Sequence, residues 1–151
     1  MADIAGLKQV PLFEGLSDEQ LEAIAARGEQ RSLAEGDLVF EEGSEGHEMF
    51  VLLDGRVQIT IEMSRASEQA PVHTVVEGHV FGEFALLTGI ERSATARALK
   101  DSTCFVLSRE GFEALAAQDP HFGYQVLKRL TEVLVGRMVK TTRELRASLM
   151  F

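Results

Sequence analysis

A chain of 151 residues, 45% of them apolar, can bury one real core, and its single cysteine, Cys104, leaves no disulfide framework and no thiolate metal cluster. The apolar runs are too short to cross a bilayer, and Met1 to Val10 lacks the basic and apolar regions of a signal peptide, so a reducing, cytoplasmic setting is expected. The net charge of −9 is uneven: from His121 onward Lys128, Arg129, Arg137, Lys140, Arg143 and Arg146 outnumber Glu132 and Glu144, and the acidic remainder repels phosphate backbones.

In chain order, Ser17-Asp18-Glu19-Gln20 reads as a capping box that opens a short helix with Leu21, Ile24 and Ala25 on one face, and Leu12-Phe13 can pack against that face. Short β-like runs follow: Leu38 to Phe40, Met49 to Leu53, Arg56 to Met63, Val72 to Val76 and Thr103 to Leu107. Glycines 36, 43, 46, 55 and 78 punctuate them. Asp54-Gly55 reads as a hairpin turn, and Val57, Ile59 and Ile61 alternate with polar neighbours, so that strand has one wet face. Ser64 to Ala70 is polar and unpatterned, as expected of a hairpin tip. Cys104, between Thr103 and Phe105, reads as a small core residue. Ser108 precedes a short helix containing Phe112 and Leu115. Asp119-Pro120 supplies the N-cap and first-turn proline of a longer helix, about 30 residues and roughly 45 Å. On it Leu127, Leu130, Leu134, Met138, Thr141, Leu145 and Leu149 follow spacings of three and four, the pattern of a pairing seam.

The stretch from Phe81 to Thr95 carries the chemistry. Gly82 lets a backbone approach another group closely, and Glu83 to Leu87 are good helix formers whose free N–H groups suit an anion. Arg92, flanked by the small residues Ser93 and Ala94, follows nine residues after Glu83. An acid and a fixed base on one loop serve a ligand that offers both hydroxyls and a phosphate.

Gly82-Glu83-Phe84-Ala85-Leu86 with Arg92-Ser93-Ala94 resembles the phosphate-binding cassette of the cyclic-nucleotide-binding domain family, found in catabolite-activator-type regulators and in regulatory subunits of cAMP-dependent kinase. Leu12-Phe13, Glu35-Gly36-Asp37, Glu42-Gly43, Gly46 and Asp54-Gly55 extend the likeness over nearly the whole chain, while His47 and His79 stand where many relatives carry Asp. The resemblance implies that Glu83 accepts from a ribose 2′-hydroxyl and that Arg92 pairs with the cyclic phosphate, without packing the core. Amides near Ala85 and Ser93 add donors, and Gly82 lets the sugar sit close. Ile59, Val72 and Val75 are candidates for the apolar wall beside the base. Arg137 and Thr141, four apart on the long helix, are candidates for its cap. Ser93 does not decide between cAMP and cGMP; cAMP is favoured.

The expected fold is α+β, mainly β: an antiparallel β-roll (a jelly-roll-like double-stranded β-helix) over about 30–108, with an N-terminal helix, a short cassette helix and C-terminal helices over about 109–150, all one domain spanning 1–151. A metal-dependent cupin enzyme is disfavoured because the His-x-His pair is missing and His73, His79 and His121 lack ligand spacing. No metal or cofactor is expected beyond the nucleotide, and no recognition helix for DNA follows the long helix before Phe151. The expected role is a sensor in which ligand repositions the C-terminal helices, with a homodimer through the long helix and a downstream protein partner. The alternative is the effector domain of a larger cyclic-nucleotide-responsive transcription factor, channel or enzyme.

Overall fold

The structure, a computed structural model, describes residues 4–63 and 68–150. A first helix α1 (Ile4–Lys8) and a 3-10 turn (Pro11–Phe13) lead into α2 (Asp18–Arg27). The capping box is formed in full: the Ser17 hydroxyl accepts from the Gln20 amide at 3.1 Å, and the Gln20 side chain accepts from the Ser17 amide at 2.9 Å. Among the described residues eight strands then form two sheets: β1 (Glu29–Leu33), β2 (Leu38–Phe40), β3 (Glu48–Asp54), β4 (Val57–Glu62), β5 (Gln69–Val75), β6 (Val80–Phe81), β7 (Thr95–Ala98) and β8 (Ser102–Ser108). The order is β1-β8-β3-β6 in one sheet and β2-β7-β4-β5 in the other, every pairing antiparallel. The short helix α3 (Phe84–Leu87) interrupts the second half of the roll, and α4 (Arg109–Gln118) and α5 (Pro120–Leu149) close the chain.

Two cores lie on opposite faces of the first sheet because its central strands are apolar at consecutive positions. Phe50, Leu52, Cys104 and Val106 point into the roll, where they meet Val57, Ile59, Val75 and Ala96. Met49, Val51, Phe105 and Leu107 point the other way and are covered by Leu21 and Ile24 of α2, Phe112 of α4, and Phe122, Val126 and Leu130 of α5. Cys104 is the small core residue its neighbours implied, and burial pushes its thiol up to about 11.

Three expectations are revised. Asp54-Gly55 does not make a hairpin: β3 and β4 belong to different sheets, and with φ at +112° Gly55 carries the chain from one to the other beside Ser102, whose Oγ accepts from the Arg56 amide at 3.2 Å. The hairpin is β4–β5; of the expected tip, Gln69 and Ala70 are strand, and residues 64–67 lie outside the described residues. The leucine seam on α5 is not one surface either. Leu130 is fully buried and Leu134 packs against the core, whereas Val135, Met138, Thr142, Leu145 and Leu149, again three and four apart, are exposed. Strands β1, β6 and β7 were not legible as runs, being polar, two residues long, and rich in alanine and arginine respectively.

Asp119 caps α5 as its sequence implies, its carboxylate accepting from the Phe122 amide at 3.1 Å, with Pro120 in the first turn. A 30-residue helix cannot be covered by so small a body along its whole length, and from residue 138 to 150 every position is exposed.

Candidate ligand-binding site

Between the second sheet, α3 and the middle of α5 lies a cavity of about 770 Å³. Among the residues that line it are all those singled out from the sequence: Gly82, Glu83, Phe84, Ala85, Arg92, Ser93 and Ala94 from the cassette, Ile59, Val72 and Val75 from the sheet, and Arg137 and Thr141 from the helix. Its size is that of a pocket for a small organic ligand.

Gly82 opens the cassette with φ at +68°, a left-handed conformation that costs a side chain about 1–2 kcal/mol. A Cβ there would stand 2.8 Å from Arg92 Nη1 and 3.1 Å from Phe40, so glycine also makes room for the arginine. Glu83 follows at 4% exposure. Its carboxylate accepts from Arg137 Nη1 of α5, while Arg137 Nη2 donates to the Val80 carbonyl at 2.8 Å. The head group of Arg137 therefore ends on the cassette acid, and Thr141, one turn further along, faces the same cavity.

Arg92 is buried, at 9% exposure, against the expectation that it would not pack the core. Nη1 donates to the Gly82 carbonyl at 3.1 Å and Nη2 to the Glu48 carbonyl at 2.8 Å. The guanidinium lies 4.2 Å from the centroid of Phe40 and 5.7 Å from that of Phe50. Gly46 has no side chain to block it: a Cβ there would come within 2.4 Å of Arg92 Nε. Burial lowers the pKa of the guanidinium, and the nearby Glu48 charge opposes that. Among the described residues its hydrogen-bond partners are neutral carbonyls, and Nε has none. This is a desolvated cation at a cavity wall, held by aromatic faces and peptide dipoles and not neutralised by a bonded carboxylate.

The sheet wall differs in one place from the sequence reading. Ile59 at 7% and Val75 at 2% exposure face inward, but Val72 is 53% exposed at the rim. The register explains it: Ile59 pairs with His73 and Thr60 with Pro71, so Val72 is the extra residue of a β-bulge and His73 takes the inward place beside Ile59. Phe40, Phe81 and His73 are lining residues to which the sequence reading assigned no contact with a ligand. Counting back by two from Val75 reaches His73 before the bulge, whereas nothing local to Phe40 marks it.

Comparison with known proteins identifies the family. The family described as "Cyclic nucleotide-binding domain" matches residues 30–119, more than half of the chain. The "Cyclic AMP receptor protein" of Thermus thermophilus is 28% identical over 139 residues, covering 92% of this chain and 62% of its own length. "cGMP-dependent protein kinase, isozyme 1" of Drosophila melanogaster is 33% identical over 111 residues, 72% of this chain and 14% of the kinase. The crystal structure of the Thermus thermophilus catabolite activator protein superposes with a TM-score of 0.79 at 28% identity, covering 90% of this chain and 62% of that one. The chain thus spans less than two thirds of each of these relatives. With the eight-stranded roll, the cassette between β6 and β7 and the match over residues 30–119, the chain belongs to the cyclic nucleotide-binding domain family.

Proposed function

We propose that the chain, as one domain over residues 1–151, is a regulatory module that binds a 3′,5′-cyclic purine nucleotide in this cavity and reports its presence through α5. The observation that carries this reading is Arg92: a buried guanidinium at the cavity wall, bonded among the described residues to carbonyls alone, is a ready partner for a singly charged cyclic phosphate. Glu83 accepts from the ribose 2′-hydroxyl, Gly82 admits the sugar, and amides near Ala85 and Ser93 add donors. Ile59 and Val75 flank the base, with Val72 at the rim. Thr141, with Arg137 beside it, covers the base from α5.

The Arg137–Glu83 pair supports the signalling half of the reading, since the acid assigned to the ribose is the one that holds the helix. A ligand that engages Glu83 changes what Arg137 meets, and the position of α5 changes with it. The module acts by binding, without catalysis. cAMP is placed ahead of cGMP, because the Thermus receptor named for cAMP covers more of this chain than the cGMP-dependent kinase does. The cytoplasm, where cyclic nucleotides are made, is the proposed location; among the described residues no helix is long and apolar enough to cross a membrane. The relatives are longer than this chain, which also supports reading it as the effector part of a larger regulator, with a protein partner downstream.

Calorimetric titration with cAMP, cGMP and linear 5′-AMP tests the reading. Binding of a cyclic nucleotide, with the linear control much weaker, is expected; no heat from either cyclic ligand overturns it.

A further inference from the structure

Resting on the cyclic-nucleotide reading of the cavity, we infer that His73 is the residue that reads the base, through a hydrogen bond from its Nε2 edge to the 6-substituent of a purine. His73 sits on β5 directly opposite Ile59 and two residues before Val75, so its ring faces the roll interior with them. It lines the same cavity as Arg92, Glu83 and Thr141. Its Nε2 is buried and has no hydrogen-bond partner among the described residues. An imidazole nitrogen enclosed in an otherwise apolar wall is costly to leave unpaired, and the wall around it, Ile59 and Val75, offers no donor or acceptor side chain.

The chemistry of that nitrogen suits a purine edge. A neutral imidazole carries one N–H donor and one lone-pair acceptor, and exchange of the proton between the ring nitrogens presents either at Nε2. As an acceptor Nε2 takes a proton of the adenine 6-amino group; as a donor it serves the guanine 6-oxo group. Burial first, and then the charges of Arg137 and Lys140, which line the same cavity from α5, favour the neutral ring over the imidazolium. The cassette contacts ribose and phosphate, which are common to all these ligands, and Thr141 and Arg137 reach the base from α5, so on the sheet side its edge is left to a polar group of the wall. Among the described wall residues that face inward, Ile59, His73 and Val75, His73 is the polar one.

Titration of the whole chain with cAMP, cGMP and purine riboside 3′,5′-cyclic phosphate, which lacks a 6-substituent, tests this. The unaltered chain should bind the unsubstituted analogue about tenfold more weakly than cAMP, the size of one lost hydrogen bond in an apolar wall. H73L should reduce cAMP and cGMP to the level of the analogue and leave the analogue's own affinity unchanged, and H73Q, with both donor and acceptor, should restore a preference for substituted bases. An equal loss for all three ligands in H73L, or no loss for any, overturns the assignment while leaving the cavity reading intact. Failure of all three to bind the unaltered chain overturns both.

Discussion

Arg92 joins two properties that usually conflict, a full charge and near-complete burial, and its substitution should therefore be read twice. R92A is expected to lower cyclic-nucleotide affinity by about 2–5 kcal/mol, since the phosphate loses its desolvated partner. It should also lower the melting temperature, because the guanidinium fills the space beside Phe40 and Phe50 and bonds two carbonyls. Calorimetry and thermal unfolding of the same variant separate the two effects, and unchanged affinity in a folded variant would remove Arg92 from the phosphate. Glu83 makes the complementary case. E83Q should weaken cAMP more than 2′-deoxy-cAMP, because a charged acceptor holds the ribose hydroxyl more strongly than an amide does. Equal losses for the two ligands would instead point to the broken Arg137 pair. His73 adds a pH dependence whose sign follows from its surroundings. Burial first, then the Arg137 and Lys140 charges, lower its pKa, so the unfolded chain takes up the proton more readily than the folded one. Its contribution is fully present above the ordinary value of about 6.5 and is lost as pH falls below it. Denaturant unfolding at pH about 5.5 and 7.5 should show a smaller difference in H73L than in the unaltered chain.

At the scale of elements, what the sequence made legible was whatever its chemistry completes within a few residues. The Ser17–Gln20 box and the Asp119-Pro120 start depend on near neighbours and formed as read, as did the alternation along β4 from Val57 to Thr60, while Ile61 is exposed. The cassette is legible for the same reason, because Gly82, Glu83 and Arg92 lie on one short segment. What distant pairing decides was not legible. The Gly55 turn could join two strands of one sheet or cross between sheets, and only the partners of β3 and β4 distinguish these. That Pro71, and not Val72, stands opposite Thr60 is fixed only by the bulge between β4 and β5. Phe40 and the Glu48 carbonyl reach Arg92 across 52 and 44 positions of sequence respectively, a distance no local pattern spans. The start of α5 yields its own prediction. The Phe122 amide, and then the Gln20 side chain, hold the Asp119 carboxyl below its ordinary pKa. Its contribution is present above about pH 4 and is lost as pH falls through the lowered value. D119A should lower the melting temperature at neutral pH, and D119N, which keeps an acceptor at the cap, should lower it far less. Equal melting of all three proteins would show that burial of Phe122 and Val126 alone fixes this end of the helix.

Taken as a whole, the molecule is a covered body with one uncovered limb. The first half of α5 is bound to it by Phe122, Val126 and Leu130, and the middle is tied to the cassette through Arg137. Beyond that, Val135, Met138, Thr142, Leu145 and Leu149 present a stripe with the three-and-four spacing of a coiled-coil seam, at exposures of 52% for Val135 and 76% for Leu149. Folding back over the roll would bring this stripe toward the cavity, which Met138 and Thr142 already border. Pairing with the same stripe of a second copy buries all five residues at once, and we propose the dimer on that ground. The two arrangements differ in stoichiometry and in ligand response. A dimer should run at twice the mass of the 16.6 kDa chain in light scattering coupled to gel filtration. V135D and L145D should each return it to a monomer without lowering the melting temperature of the roll, since neither side chain belongs to either core. Because Arg137 lies two residues beyond Val135 and bonds Glu83, cyclic nucleotide should shift the monomer–dimer balance in the unaltered chain, and R137A should abolish that shift while leaving the dimer itself intact. A monomer at every concentration, indifferent to V135D and L145D, would assign the stripe to a contact within one chain.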